Sequence, residues 1–307
     1  MILISVVIST YNPHLSRLKL TLDGLRNQTL AYFNWELIII DNNSDNNFHE
    51  HLDLTWQPNF RLLTEEEQGL TYARIRGFKT AEAEIIVMVD DDNILDENYL
   101  SNVASIFNAN PYLGAIGGIS TPLFETTPAK WVESFYPNLA LRDLGRKNII
   151  NRWENNYPEA SPIGAGMGLR KTALKNYLHK ICSGNNIVKD RTKLSLSSGG
   201  DNDIVLEVLK AGWEIGYFPD LSLTHIIPDA RTGVRYLAKL IYDSNVSWVS
   251  LLASHQIYPW RNIPPYTYVP RCIKAWFMHK AWMGNKNYIQ WRGACGLFKG
   301  LSIDGKK

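Results

Sequence analysis

Cysteine is scarce in this sequence: Cys182, Cys272 and Cys295 are its only three among 307 residues. None is spaced as a metal or redox pair, and an odd, scattered set argues for a reducing compartment and against a disulfide framework. Long apolar runs are missing too. No stretch of about 18 uninterrupted apolar residues occurs, which argues against a membrane-spanning helix. The opening MILISVVIST carries no basic residue before its short apolar run, so it reads as a buried strand and not as a secretory leader. Repeats, low-complexity tracts and nucleic-acid recognition motifs are absent as well, and no nucleic-acid partner is expected. What remains is ordinary globular material, 45% hydrophobic and 20% charged, long enough for one large domain or a domain with an appendage.

Charge is unevenly spread. Residues 1–270 hold 24 basic against 29 acidic residues, whereas 271–307 hold eight basic residues and one acid, Asp304. That basic tail also contains Trp276, Trp282 and Trp291. Two portions of such different character are expected to meet different partners.

The first 120 residues alternate strand and helix signals. ISVVIST (4–10), WELIIIDNNS (35–44), IIVMV (85–89) and LGAIGGIST (113–121) read as strands. Between them, 15–27, with Leu15, Leu18, Leu22 and Leu25 at helical spacing, 70–83 and 96–108 read as helices. Continuous apolar strands alternating with helices predict an α/β fold with a mainly parallel sheet covered on both faces. Further on, a polar loop is expected near 183–200, a helix over 202–210 closed by Gly212, then a strand, and another helix over 233–254 with Leu237, Leu240 and Ile241 on one stripe. A proline-rich segment, YPWRNIPPYTYVP (258–270), reads as a linker into the tail.

Ligands of such sheets bind beyond the carboxyl ends of the strands. Three polar bursts fall at those ends: Thr10-Tyr11-Asn12, Asp41-Asn42-Asn43 and Asp90-Asp91-Asp92. Three adjacent carboxylates repel one another, and a divalent cation with a taste for oxygen, Mg²⁺ or Mn²⁺, offsets that cost. Strand alternation would put Asp90 and Asp92 on one side and Asp91 on the other. Because Mg²⁺ completes its shell with substrate phosphates, the expected partner is a diphosphate. The plainer alternative is a solvated acidic turn.

Taken together, VVISTYN, IIIDNNSDN and GLTYARIRGFKTAEAEIIVMVDDDN resemble a family 2 glycosyltransferase of the GT-A fold. The similarity runs on through GAGMGLRK, SGGDNDI and HIIPDAR, over roughly residues 3 to 235. It implies a catalytic domain at 1–232, with a nucleotide half at about 1–120 and an acceptor half at about 121–232. The basic-aromatic extension would occupy 233–307.

The resemblance also implies roles. Thr10, Tyr11, Asn12 and Asp41 would meet the nucleotide base, with Gly69, Arg74, Asp90 and Asp91 completing the nucleotide pocket. Asp90 and Asp92 would form the Asp-x-Asp metal pair, joined by His225, and Asp201 would be the catalytic base. Arg231 or Arg235 would close over the diphosphate, since guanidinium groups match phosphate oxygens bidentately. Asp203 would stand behind the base or act as an N-terminal helix charge. Three departures stand out: Ile75 where the family often has asparagine, Asn93 where it often has an acid, and Gly200 where an acid usually precedes the base.

The function implied is inverting, metal-dependent transfer of a sugar from a nucleotide diphosphate sugar, UDP-linked by analogy, to a hydroxyl of a glycan or lipid-linked acceptor in cell-surface polysaccharide synthesis. Gly166, in GAGMG (164–168), would let backbone approach a ligand closely or would simply form a buried turn. Trp131 and Trp153 would stack on a sugar or serve the core. The tail at 271–307 would touch an anionic membrane, placing a cytoplasmic protein at the inner membrane face, or would pack as two small helices. Two other functions stay open. A sugar-nucleotide nucleotidyltransferase would use similar chemistry, although VVISTYNP lacks its glycine-rich basic loop. A non-catalytic carbohydrate-binding protein on the same fold would tolerate Gly200.

Overall fold

The computed structural model describes residues 2–183 and 199–303. Most of the polar loop expected near 183–200, and Asp304 in the tail, lie outside the described residues. The chain divides into two compact units. The first takes in 2–123, 140–183 and 204–226, and the second takes in 124–139, 199–203 and 227–303.

The first unit is built on a sheet whose strands are β1 (Ile4–Thr10), β2 (Trp35–Asp41), β3 (Phe60–Thr64), β4 (Ile85–Val89), β5 (Asn93–Leu95), β6 (Leu113–Phe124), β7 (Ile149–Asn151), β8 (Gly168–Arg170) and β9 (Glu214–Ile227). Their order is β3-β2-β1-β4-β8-β6-β9-β5, with β7 also paired to β9. The half from β3 to β4 is parallel throughout, and Thr10 stands opposite Asp41 while Ile8 stands opposite Val89. Val6, Val7 and Ile8 of β1, and Leu37, Ile38 and Ile39 of β2, are buried whichever way they point, as strands covered on both faces require.

Beyond β4 the sheet becomes mixed. β8 inserts antiparallel between β4 and β6, and β9 pairs antiparallel with both β5 and β7. The three-residue β5 was not legible as a strand, yet its pairing sets Asn93 opposite His225. β9 runs straight through Pro219. A proline has no N–H to offer a ladder, and this one falls between the segment paired with β7, ending at Tyr217, and the segment paired with β5, starting at Leu223.

The helices of the first unit are α1 (Leu15–Arg26), α2 (Leu70–Thr80), α3 (Tyr99–Ala109) and α4 (Lys175–Cys182), while α5 (Gly200–Lys210) continues into it. Leu18, Leu22 and Leu25 of the expected stripe on α1 are buried. Ile75 is a buried core residue of α2, which accounts for an apolar side chain at that departure from the family pattern.

The second unit carries α6 (Asp229–Thr232), α7 (Val234–Ser254), α8 (Tyr268–Met278) and α9 (Asn285–Ile303). Leu237, Leu240 and Ile241 are buried on α7 as their spacing predicted. α7 and α9 meet closely along Gly293, Gly296 and Gly300: a Cβ on Gly296 would lie 2.3 Å from the Tyr242 carbonyl oxygen. The described part of the tail is thus α9, packed on α7, together with α8, and part of the proline-rich linker is the first turn of α8. Among the described residues no helix is long and apolar enough to cross a membrane.

Candidate functional site

The polar ends of β1, β2 and β4 lie side by side because those strands are neighbours and in register. Two short loops leave β1 and β2 there, each with an asparagine in the left-handed region, Asn12 at φ 47° and Asn43 at φ 59°. Asparagine tolerates that conformation better than most residues. The loops are laced together. Asn12 Nδ2 donates to Asp45 Oδ2 at 3.1 Å, the Asp45 N–H returns to Asn12 Oδ1 at 2.8 Å, and the Asn12 N–H reaches Ser44 Oγ at 2.8 Å. Tyr11 adds its hydroxyl to Asp45 at 3.2 Å. One oxygen of Asp41 accepts the Ser44 N–H at 3.0 Å, an Asx-type turn.

Asn42, 5% exposed, fastens this edge to α2. Its amide donates to the carbonyls of Glu65 and Glu67, at 3.1 and 2.7 Å, and its Oδ1 accepts the N–H of Gly69 at 2.7 Å. Gly69 caps α2, whose buried Arg74 faces Asp90 at 3.8 Å. Asn42, Ser44 and Asp45 had no role assigned from the sequence. The available signal was a run of Asn, Asp and Ser at a strand end, and which of them turns inward depends on contacts with residues some thirty positions away.

The aspartate knot departs from the alternation expected of it. The strand ends at Val89, and Asp90 to Asn93 form a turn closed by Asn93 N–H on the Asp90 carbonyl at 3.1 Å. Asp90 and Asp92 therefore do not share one side of a strand, and each carboxylate goes its own way. Asp90 faces Arg74. Asp91 accepts the hydroxyl of Thr10. Asp92, 6% exposed, lies 3.4 Å from His225 Nε2 and accepts the side-chain amide of Asn93 at 3.2 Å. Asn93 also turns its Oδ1 to the Asp90 N–H at 3.2 Å, so this departure from the family pattern is the staple of the turn. Backbone pairing fixes the other partner, since Ile226 N–H reaches the Asp92 carbonyl at 2.8 Å.

The carboxylate of this pair is an oxygen donor of the kind Mn²⁺ or Mg²⁺ takes, whereas the imidazole is a softer donor than Mg²⁺ prefers. Asp92 supplies the donor such an ion would need beside His225, and Asp90, at the other end of the same tight turn, faces Arg74 instead.

Gly166, at φ 73°, has its carbonyl on the buried hydroxyl of Tyr99 at 2.6 Å, and a Cβ there would strike Tyr99 and Leu223. Burial raises the Tyr99 pKa well above the ordinary phenol value, so this hydroxyl stays a donor. Packing alone accounts for the glycine.

The remaining candidates belong to the second unit. Asp201 and Asp203 lie in the first turn of α5, where acidic groups suit the helix dipole. Asp203 is 1% exposed and pairs with the buried His255 at 2.6 Å, a partner that no local pattern in the sequence announced. Arg231 lies on α6 and Arg235 on α7. Trp131 makes an edge contact with Phe135, their ring centroids 6.2 Å apart.

Residues 5–178 match the sequence model of the family described as Glycosyl transferase family 2. The match includes Thr10 to Asp92 and stops short of Asp201 and His225. A glucosyl-dolichyl phosphate glucuronosyltransferase of Haloferax volcanii is 25% identical over 158 residues, 50% of either chain. The poly(ribitol-phosphate) beta-N-acetylglucosaminyltransferase TarP of Staphylococcus aureus is 30% identical over 166 residues, 48% of this chain and 50% of the relative. The chain thus spans about half the length of the curated relatives it matches. Among solved structures, S. aureus TarS 1–349 in complex with UDP-GlcNAc aligns with a TM-score of 0.57 at 12% identity, over 99% of this chain and 92% of that one. At that identity the likeness shows the fold, a central sheet flanked by helices with a helical C-terminal region.

Proposed function

The chain belongs to glycosyltransferase family 2, and from that premise we propose that it moves a sugar from a UDP-linked donor to a hydroxyl of a glycan or lipid-linked acceptor, with inversion at the anomeric carbon. The observation that carries this is the junction of β1, β2 and β4, where Thr10 meets Asp91, Arg74 meets Asp90 and Asp92 meets His225. The solved relative with UDP-GlcNAc and the names of the curated relatives support a nucleotide sugar as donor and a surface polymer or lipid-linked sugar as acceptor.

In this reading Tyr11, Asn12 and Asp41 receive the base at the laced loops, and Thr10 orients Asp91 beside the ribose. Gly69 lets the backbone at the start of α2 come close to the nucleotide. Asp92, with His225 beside it, would hold the Mn²⁺ or Mg²⁺, which supplies Lewis-acid stabilisation of the leaving diphosphate, while Asp90 is held by Arg74. Arg231 or Arg235 adds a guanidinium to the same oxygens. Asp201 takes the proton of the attacking acceptor hydroxyl, and Asp203, anchored by His255, steadies the helix turn that carries it. One displacement with no sugar bound to the enzyme inverts the configuration. General-base assistance of this kind contributes roughly 10²–10⁴ in rate.

The test is Asp201→Asn. It should lower transfer from UDP-sugars by roughly 10²–10⁴ while leaving UDP affinity, measured by calorimetry, within error of the parent. Transfer at the parental rate would place the base elsewhere.

The tail has a second role in this proposal, a seat on anionic lipid at the cytoplasmic face. Val269, Ile273 and Phe277 recur every fourth residue on α8 and are exposed, 59%, 56% and 63% respectively, with Met278, Trp282 and Met283 just beyond. An exposed apolar face of that size calls for a partner, and Arg271, Lys274, Lys280 and Lys286 beside it favour an anionic one. Lys280 lies past the end of α8, at φ 49°. Flotation with anionic vesicles should recover the parent and lose a Phe277→Asp, Trp282→Asp variant; equal recovery would end the idea.

A further inference from the structure

A second cleft lies at the other end of the sheet of the first unit. It has a volume of about 400 Å³ and is lined by Tyr112, Arg152, Trp153, Leu209, Trp213 and Glu214. Its elements are the residue before β6, the two residues after β7, the last turn of α5, and the turn into β9. β9 has Glu214 at one end and His225 near the other, at most roughly 36 Å apart at about 3.3 Å per residue of extended strand. Arg170, which lies over Trp213, is paired with Ile85 at the start of β4 and not with its acidic end. The cleft is therefore remote from the junction of β1, β2 and β4.

Three aromatic residues from three separate stretches of chain line it, Tyr112, Trp153 and Trp213. Trp213 is braced from outside: the Arg170 guanidinium lies 5.8 Å from its ring centroid, and that guanidinium is itself pinned to the carbonyls of Leu113 and Phe107 at 3.0 and 3.1 Å. Gly212, at φ 88°, turns the chain into Trp213, and no atom lies within 4 Å of where its Cβ would be, so the rim stays open there. The polar groups are one of each sign and satisfy each other, Arg152 Nε to Glu214 Oε1 at 2.6 Å, with Arg152 78% exposed and Glu214 14%. The Tyr112 carbonyl is engaged by the Glu214 N–H at 2.9 Å, which ties the two walls together.

Aromatic side chains, one of them braced, with a few directed polar groups describe a small-molecule site, and the volume falls within the usual range of about 300–1,000 Å³. The balanced ion pair argues against a polyanion, which Glu214 would repel. A ligand that offers apolar C–H faces to rings and hydroxyls to a carboxylate and a guanidinium is a neutral carbohydrate. We propose that the cleft formed by Tyr112, Trp153, Trp213 and the Arg152–Glu214 pair is a second carbohydrate site, which holds a neutral oligosaccharide segment away from the reaction centre. Only the choice of ligand class rests on the glycosyltransferase function; the geometry does not.

The test is binding, read without any transfer reaction. The full chain, ¹⁵N-labelled at tryptophan indoles, is titrated with cellohexaose, chitohexaose and maltohexaose, with uridine as a stacking control, and the Trp153 and Trp213 resonances are assigned by Trp→Phe variants. At least one hexasaccharide should shift both indole signals saturably, equally well with or without UDP, while uridine should not. Tyr112→Ala, at a residue 72% exposed and so safe for folding, and Trp153→Ala should each weaken that binding about tenfold. The proposal is overturned if no hexasaccharide moves either indole, if uridine alone does, or if both variants bind as the parent does. Loss of UDP binding with the sugar response intact would instead count against the donor site, so the two failures are separable.

Discussion

Thr10 Oγ1 donates a hydrogen bond to a carboxylate oxygen of Asp91, joining residues 81 positions apart where β1 and β4 end side by side. Parallel pairing of the two strands sets up this contact, since their last pair, Ile8 against Val89, leaves Thr10 and Asp91 each two positions further on, Asp91 in the turn that follows β4. It ties the loop expected to receive the base to the turn expected to receive the metal.

Thr10→Val should therefore weaken UDP binding about tenfold, the loss expected for a hydrogen bond to a charged group, and Thr10→Ser should restore most of it. Calorimetry with UDP and Mn²⁺ measures both. Unchanged affinity in the valine variant would mean that Asp91 does not need orienting.

Asp92→Asn should separate metal from nucleotide. In a thermal-shift series the parent should be stabilised more by UDP with Mn²⁺ than by UDP alone, and the variant should show no such difference. His225→Ala should weaken Mn²⁺ affinity at least about tenfold. A parental Mn²⁺ effect in both variants would remove this pair from the metal site.

Gly296→Ala tests the packing of α9, in the tail, against α7. The added methyl has the Tyr242 carbonyl in its place, and forcing apart a close-packed contact typically costs about 1–3 kcal/mol. The thermal midpoint should fall accordingly, whereas Gly284→Ala, where no atom lies within 4 Å, carries no such packing penalty and tests only the strain of φ 151°.

Alkaline pH should destabilise the second unit through Cys295. Burial, reinforced by a hydrogen bond with Cys272, pushes this thiol from 9.0 up to about 12. Between those values the unfolded chain releases a proton that the folded chain keeps, so stability falls as pH rises through the window. Urea midpoints at pH 8 and pH 11 should differ less in Cys295→Ala than in the parent. The same burial should spare Cys295 from alkylation at pH 8 while exposed Cys182 is labelled.

Strands β1, β2, β4 and β6 and the three helices of the first 120 residues were legible because each is a local periodic signal, β1 spanning Ile4–Thr10 and β4 spanning Ile85–Val89 as the apolar runs mark. The edge strand β3 (Phe60–Thr64), half exposed along its length, was not read. The family followed from short motifs in a fixed order. β5 was not legible, being three residues long and stabilised by β9 more than a hundred positions away. Nor were the partners of the acidic groups: three like aspartates in a row give no hint that one meets Arg74, one Thr10 and one His225.

The sequence by itself thus determined where buried strands end and which polar residues stand at those ends, because burial and periodicity are written locally. Only the tertiary structure decided what each of those residues touches, and that Tyr112, Trp153 and Trp213 share a cleft at the far end of β9. The reason is physical: a carboxylate's or an indole's partner is set by strand register and helix docking, and those depend on contacts across the whole chain.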